Sequence, residues 1–249
     1  GKFIDFMVKY VKCLVPKFNI PNAIDFTTAL DHGKKYKIVP FESNREDVIL
    51  LQYTGGTTGV SKGTMLTNRN LVANVEQIKA VICYYLEEGK EVTLSPLPMY
   101  HIFAFAVNIL AMMSIGATTV LIVNARDVGS IVAAFKKYPI SLMTGVNTLY
   151  NALLNYPGFE KINFSHLKAS VGGGMAVQKS IATEWQKVTG CYLAEGFGMT
   201  ETSPVVSLNP LDGTGRLGYI GIPVPSTDIR LVDKSGHVCG INEEGEIQV

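Results

Sequence analysis

Residues 53–63 read Tyr53-Thr54-Gly55-Gly56-Thr57-Thr58-Gly59-Val60-Ser61-Lys62-Gly63. An unbroken run of glycines and threonines after a strand-like segment, closed by a lysine, offers free backbone N–H groups, hydroxyls and one mobile cation to a polyphosphate. A Walker A loop has Gly directly before its Lys and Ser or Thr directly after, whereas Lys62 stands between Ser61 and Gly63. Ordinary P-loop ATPases are disfavoured on that ground. The same segment contains Gly59-Val60-Ser61-Lys62-Gly63, a match to the GxSxG nucleophile elbow, with His166 and His237 downstream. An elbow serine must follow its strand almost directly, and a flexible Gly/Thr run cannot hold that strained turn. A hydrolase using Ser61 is therefore the weaker reading, as is a purely structural turn, which rarely needs so many hydroxyls and a lysine.

Three further segments carry side chains or backbone with chemical potential: Pro98-Met99-Tyr100-His101-Ile102-Phe103, Gly172-Gly173-Gly174, and Gly196-Phe197-Gly198-Met199-Thr200-Glu201-Thr202. Consecutive glycines let a ligand approach the backbone closely. Neither glycine segment extends to a GxGxxG dinucleotide fingerprint. Taken alone, His101 beside Tyr100 and Phe103 reads as a hydrogen-bonded core histidine, and Glu201 as a solvated or helix-start carboxylate. No motif surrounds His32, His166 or His237.

In this order, 53–63, 98–103 and 196–202 resemble the phosphate loop, the substrate-side loop and the adenine and magnesium motif of the adenylate-forming superfamily of acyl-CoA synthetases, luciferases and nonribosomal-peptide adenylation domains. Gly172-Gly173-Gly174, Gly218-Tyr219-Ile220-Gly221-Ile222-Pro223 and Gly245-Glu246-Ile247 extend the resemblance over nearly all of the chain from about Asn19. The wording is most similar to bacterial long-chain fatty-acid CoA ligases. Ser61 stands where the superfamily usually has proline, and Phe197 where it often has tyrosine.

The resemblance implies roles. Thr54, Gly55, Gly56, Thr57, Thr58, Gly59 and Lys62 would surround the β- and γ-phosphates of ATP, and Thr200 would contact the α-phosphate. Gly174, Gly196, Phe197, Gly198 and Met199 would complete the nucleotide site, with Phe197 offering adenine a flat face. His101, Ile102, Phe103, Gly172 and Gly173 would line the acyl side. Glu201, with Thr57, would place Mg²⁺ as a hard, oxygen-ligated ion, and Lys62, Thr200 and Glu201 would carry catalysis. The implied reaction joins a fatty acid to AMP and then to CoA. Attack of a substrate carboxylate on the α-phosphate needs positioning and charge neutralisation but no protein nucleophile. A non-catalytic nucleotide or fatty-acid binding module is the alternative from another class, and the presence of Thr57, Lys62, Thr200 and Glu201 favours the enzyme.

Composition agrees with a small-molecule enzyme. The 249 residues are 47% hydrophobic and 17% charged, with a formal net charge of +1. That is enough apolar content for a large core, and no block of like charge proposes a nucleic-acid partner. Cys13, Cys83, Cys191 and Cys239 are far apart and form no CxxC pair, which points to a reducing, cytoplasmic compartment. Peripheral contact with the inner membrane and a homodimer of the full-length enzyme are compatible with this reading. The chain opens on Gly1 rather than Met, so we expect a piece cut at both ends, without the mobile C-terminal domain of the superfamily.

The elements that must position these residues alternate. Apolar residues from Phe3 to Leu14 recur at helical spacing. Strands are predicted at 48–53, 91–95, 119–123, 140–143, 168–171 and 191–194. Helices are predicted at 68–84, before Gly116, at 127–138 with Asp127 as N-cap, at 147–155, and at 177–189 closed by Gly190. The uncharged run 102–125 is long enough to cross a membrane, but Gly116 breaks it into a buried helix and a buried strand. The pattern predicts an α/β fold with a layered, mostly parallel sheet and flanking helices. Residues 1–217 are expected to form the nucleotide- and acyl-binding portion, and 218–249, with short strands at 228–233 and 246–249, the start of a small β subdomain.

Overall fold

The computed structural model describes residues 2–17, 19–55 and 61–249. Two compact units emerge, residues 1–42 and 43–249. In the first, helix α1 (Lys2–Phe6) runs into a π-helical turn (Met7–Val11), and α2 (Phe26–Gly33) follows. The Asp25 side chain caps α2 by accepting the Thr28 N–H at 3.0 Å.

The second unit is built on a seven-stranded sheet. Its strands are β3 (Val92–Ser95), β4 (Thr118–Leu121), β5 (Leu142–Gly145), β6 (Ala169–Gly172), β7 (Leu193–Gly198), β8 (Val205–Leu208) and β9 (Ile222–Pro223), in the order β4-β3-β5-β6-β7-β8-β9. Pairs from β4 to β7 are parallel; β8 and β9 are added antiparallel. Every residue of β5 and β6 is buried, as strands covered on both faces must be.

Helices α5 (Val128–Lys137), α6 (Asn147–Leu154) and α7 (Lys179–Thr189) cover one face, where Ile131, Leu153 and Phe159 are fully buried. Burying each such side chain contributes about 1.5–3 kcal/mol. The polar atoms admitted to this layer are paired: Trp185 Nε1–H donates to Ser170 Oγ at 3.1 Å, and Tyr150 Oη–H to the Val171 carbonyl at 2.9 Å. The opposite face is covered by α3 (Asn68–Ile82) and by the segment leading into α4 (Met112–Ser114). Among the described residues no helix is long and apolar enough to cross a membrane.

Two local features differ from the sequence reading. The segment before Gly116 is π-helical through Ala104–Ala111 and α-helical only at α4. There the fully buried Asn108 accepts from Thr144 Oγ1 at 2.8 Å. The strand β1 (Val48–Thr54) is followed by β2 (Lys62–Thr67), which folds back on it as an antiparallel two-stranded sheet. Near the end of the chain, β10 (Arg230–Val232) and β11 (Glu246–Gln248) form a third sheet of their own.

Candidate active site

Strand β3 has β4 on one side and β5 on the other, so the direction of winding reverses at β3. Crevices outside the carboxyl ends of strands at such a switch point are where open α/β sheets bind ligands. The segment 96–103 leaves the carboxyl end of β3, and β5, β6 and β7 all end on glycine, at Gly145, Gly172 and Gly198. A cavity of about 230 Å³ opens at this end.

Its rim collects residues that the sequence had separated by as much as a hundred positions: His101, Ile102 and Phe103; Gly172, Gly173 and Gly174; and Gly196, Phe197, Gly198, Met199 and Thr200. Its interior is apolar, with Ile78, Ile82, Val107, Met112 and Leu142 among the walls. The rim is tight. A Cβ on Gly173 would lie 3.1 Å from the Phe103 ring, and one on Gly198 would overlap the Pro204 carbonyl. His101 Nδ1 accepts the Phe103 N–H at 3.2 Å, which leaves Nε2 as the protonated nitrogen of the neutral ring.

The phosphate-loop residues lie on the neighbouring hairpin. Thr54 and Lys62 are paired across β1 and β2, and Gln52 Nε2–H of β1 donates to the Tyr100 carbonyl at 2.9 Å, tying the hairpin to the loop that carries His101. Gly55 is exposed at the end of β1. Gly56, Thr57, Thr58 and Gly59 lie outside the described residues. Glu201 sits in the 3-10 turn Thr200–Thr202, which lies beside β2. Lys62 and Glu201 are exposed and are not part of the cavity lining. Ser61 stands between two antiparallel strands rather than between a strand and a helix, so it does not occupy a nucleophile elbow.

Buried polar side chains that sequence reading had passed over hold this arrangement together. Asn74 bonds α3 to Val205, Asn147 Oδ1 accepts the Gln178 N–H at 2.9 Å, and Asn209 donates twice to the Glu195 carbonyl, at 3.0 and 3.1 Å. Glu195 itself is buried on β7, one residue before the Gly196-Phe197-Gly198 stretch. Burial pushes its carboxyl above the ordinary carboxylate range, against the opposing pull of the Val177 N–H it accepts. The signal that could have found it is an acid in the otherwise uncharged stretch 191–200.

Residues 12–249 match the AMP-binding enzyme family. The chain belongs to that family. A long-chain-fatty-acid–CoA ligase of Salmonella typhimurium is 50% identical over all 249 residues. The chain spans 44% of that relative's length. Among solved structures, a long-chain-fatty-acid-CoA ligase (FadD1) from Archaeoglobus fulgidus superposes with a TM-score of 0.69 at 28% identity, covering 81% of this chain and 41% of that one. ATP-bound MatB from Rhodopseudomonas palustris gives a TM-score of 0.78 at 25% identity, covering 88% of this chain and 43% of that one. The AMP-binding family thus accounts for the layered sheet with flanking helices as well as for the sequence.

Proposed function

We propose that the full-length protein is an AMP-forming fatty-acid–CoA ligase, and that this chain supplies most of its nucleotide- and acyl-binding surface. The observation that carries the reading is the two-part cavity. Its rim of glycine backbone, Phe197 and Thr200 suits an adenylate, while its interior of Ile78, Ile82, Met112 and Leu142 suits a hydrocarbon tail. A fatty acyl-adenylate has that division of character, with the reacting carboxyl between its two halves. The 50% identical ligase and the ATP-bound neighbour support the same conclusion.

In the first step a carboxylate oxygen of the fatty acid attacks the α-phosphorus of ATP. The acyl–oxygen–phosphorus link forms, the bond between the α-phosphorus and the bridging oxygen breaks, and pyrophosphate leaves. In the second, the CoA thiol, losing its proton, attacks the acyl carbon, the thioester forms and AMP leaves. Thr54, Gly55, Gly56, Thr57, Thr58, Gly59 and Lys62 bind the outer phosphates, and Lys62 brings the cation. Thr200 orients the α-phosphate, with Gly174, Gly196, Gly198 and Met199 around it, and Phe197 lies against adenine. His101, Ile102, Phe103, Gly172 and Gly173 wall the acyl carboxyl.

The exposed Glu201 carboxylate next to Thr200 is a hard oxygen donor of the kind Mg²⁺ takes, and with Thr57 it would hold that ion. When bound, Mg²⁺ would neutralise charge on the phosphate oxygens. Phe3, Phe6 and Tyr10 on the first unit are 76%, 55% and 61% exposed. That exposed apolar side suits packing against a further part of the full-length protein first, and peripheral contact with a membrane second.

The test is acid-dependent pyrophosphate release by the full-length protein across a panel of carboxylic acids, with acyl-CoA measured in parallel. Release that needs both ATP and a fatty acid is expected. Nucleotide and fatty-acid binding with no release would identify a binding module instead.

A further inference from the structure

Glu195 is paired with Gly172 in the parallel ladder of β6 and β7, at the level where both strands reach the cavity. Side chains alternate across a strand, so Ala194 and Gly196 look toward the cavity layer, and Leu193 and Glu195 toward the layer of α6 and α7. The Glu195 carboxylate therefore lies beneath the site, and it does not line the cavity. From there Oε1 accepts the backbone N–H of Val177 at 3.2 Å. Val177 is the residue on which the preceding turn closes, for a Cβ on Gly172 would lie 2.5 Å from Val177 Cγ2. The Gly172-Gly173-Gly174 turn is thus gripped from behind by the same strand that presents Phe197 from the front. Two further bonds complete the clamp: Gly173 N–H to the Gly145 carbonyl at 3.2 Å, and Gln178 N–H to Asn147 Oδ1 at 2.9 Å.

We propose that Glu195 is a positioning residue for the nucleotide, setting the distance between the glycine turn and the Phe197 strand through its bond to Val177. Its reach is what matters. Aspartate, one methylene shorter, keeps the charge and falls short of Val177, whereas glutamine keeps the reach and an acceptor oxygen without the charge. The buried Val177 N–H loses its acceptor in the alanine and aspartate variants, and losses of that kind change equilibria by about tenfold.

The proposal rests on the ATP-dependent reading above, and two measurements keep the two apart. In the full-length protein, Glu195→Ala and Glu195→Asp are expected to raise the KM for ATP about tenfold while kcat falls less than about threefold, and Glu195→Gln to stay within about threefold of wild type. Amide hydrogen exchange of residues 173–178, which needs no activity, is expected to quicken in the alanine and aspartate variants and to be restored in the glutamine one. Where Glu195→Ala does not fold, Glu195→Asp decides. A KM for ATP unchanged in Glu195→Asp, or a Glu195→Gln as impaired as Glu195→Asp, overturns the proposal. If wild type releases no pyrophosphate with any acid, the enzyme reading falls and the nucleotide role of Glu195 with it. In that case the exchange rates of 173–178 alone decide whether Glu195 clamps the turn.

Discussion

The side chain of Asn74 in α3 and the backbone of Val205 in β8 exchange two hydrogen bonds, Nδ2–H donating to the Val205 carbonyl at 2.8 Å and the Val205 N–H donating to Oδ1 at 3.0 Å. Asn74 is 3% exposed, so the pair works in a dry environment and holds one wall of the cavity at Pro204 and Val205. Asn74→Ala leaves a buried N–H and a buried carbonyl without partners, and we expect a loss of about 2–4 kcal/mol. Val72→Ala, on the exposed side of the same helix, should cost less than about 0.5 kcal/mol. Urea denaturation of the two variants checks the contrast.

Lys62→Ala and Glu201→Ala should each slow acid-dependent pyrophosphate release by about 10² to 10³, the scale of losing one preorganised charge-stabilising group. Both side chains are exposed, so the folded structure should survive. Ser61→Ala should leave release almost intact, because Ser61 lies in the hairpin and not at an elbow. Near wild-type release from either charge variant would remove its assigned role, and labelling of Ser61 by a fluorophosphonate would revive the hydrolase.

A cavity of about 230 Å³ is small beside the roughly 300–1,000 Å³ of ordinary ligand pockets. For the proposed fatty acyl substrate, this volume implies that part of the apolar end is displaced. Leu142 begins β5 and pairs with Ala169, three residues of ladder below Gly172, so the cavity reaches about 10 Å down the sheet. Met112, fully buried at the same end, is the unbranched and most adaptable wall. Met112→Ala should shift the preferred acid toward longer chains and Met112→Phe toward shorter ones, read from competition among saturated acids. Equal rates lost at every length would instead show only a damaged core.

Acid sensitivity should be written at the other end of the sheet. Glu91, just before β3, has a 1% exposed side chain whose Oε1 accepts from Lys168 Nζ at 2.7 Å and from the Glu87 N–H at 2.7 Å. Burial alone would raise its carboxyl, but those bonds outweigh it and hold the group below its ordinary value of 4.5. A carboxyl depressed in the folded state adds stability above the unfolded value and loses it as pH falls through the folded one. Glu91→Gln should therefore be less stable than wild type at about pH 7, with the gap closing below about pH 4.5. Urea melts at the two pH values measure it.

Most of the frame was legible because it is periodic. The buried strands 140–143 and 168–171 appear as Leu142–Gly145 and Ala169–Gly172, and the helix expected to be capped by Asp127 runs Val128–Lys137 with the Asp127 carboxylate accepting the Ser130 N–H at 3.1 Å. What escaped has a common cause. The β1–β2 hairpin and the antiparallel β8 and β9 depend on pairing partners that no local pattern names. The π-helical turns of Ala104–Ala111 differ from α turns in a spacing that a stretch apolar but for Asn108 cannot reveal. In the site, glycines and charged residues stood out by type, whereas Asn74, Asn147 and Asn209 act through backbone groups far away in the chain, which sequence spacing does not encode.

The sheet ends differently on its two sides. Its last strand, β9, is two residues long and finishes on Pro223, which has no N–H to offer a neighbour. At the other margin β4 is paired on one side only among the described residues, and its Leu121 is 61% exposed. A proline terminus blocks templating, while an unpaired, partly apolar strand permits it. Any further chain that joins this sheet, a neighbouring segment in a longer polypeptide or a stray copy during expression, has one direction in which to add. Growth of the sheet is polar, and a lysine at position 121 is where a more soluble form of the protein begins.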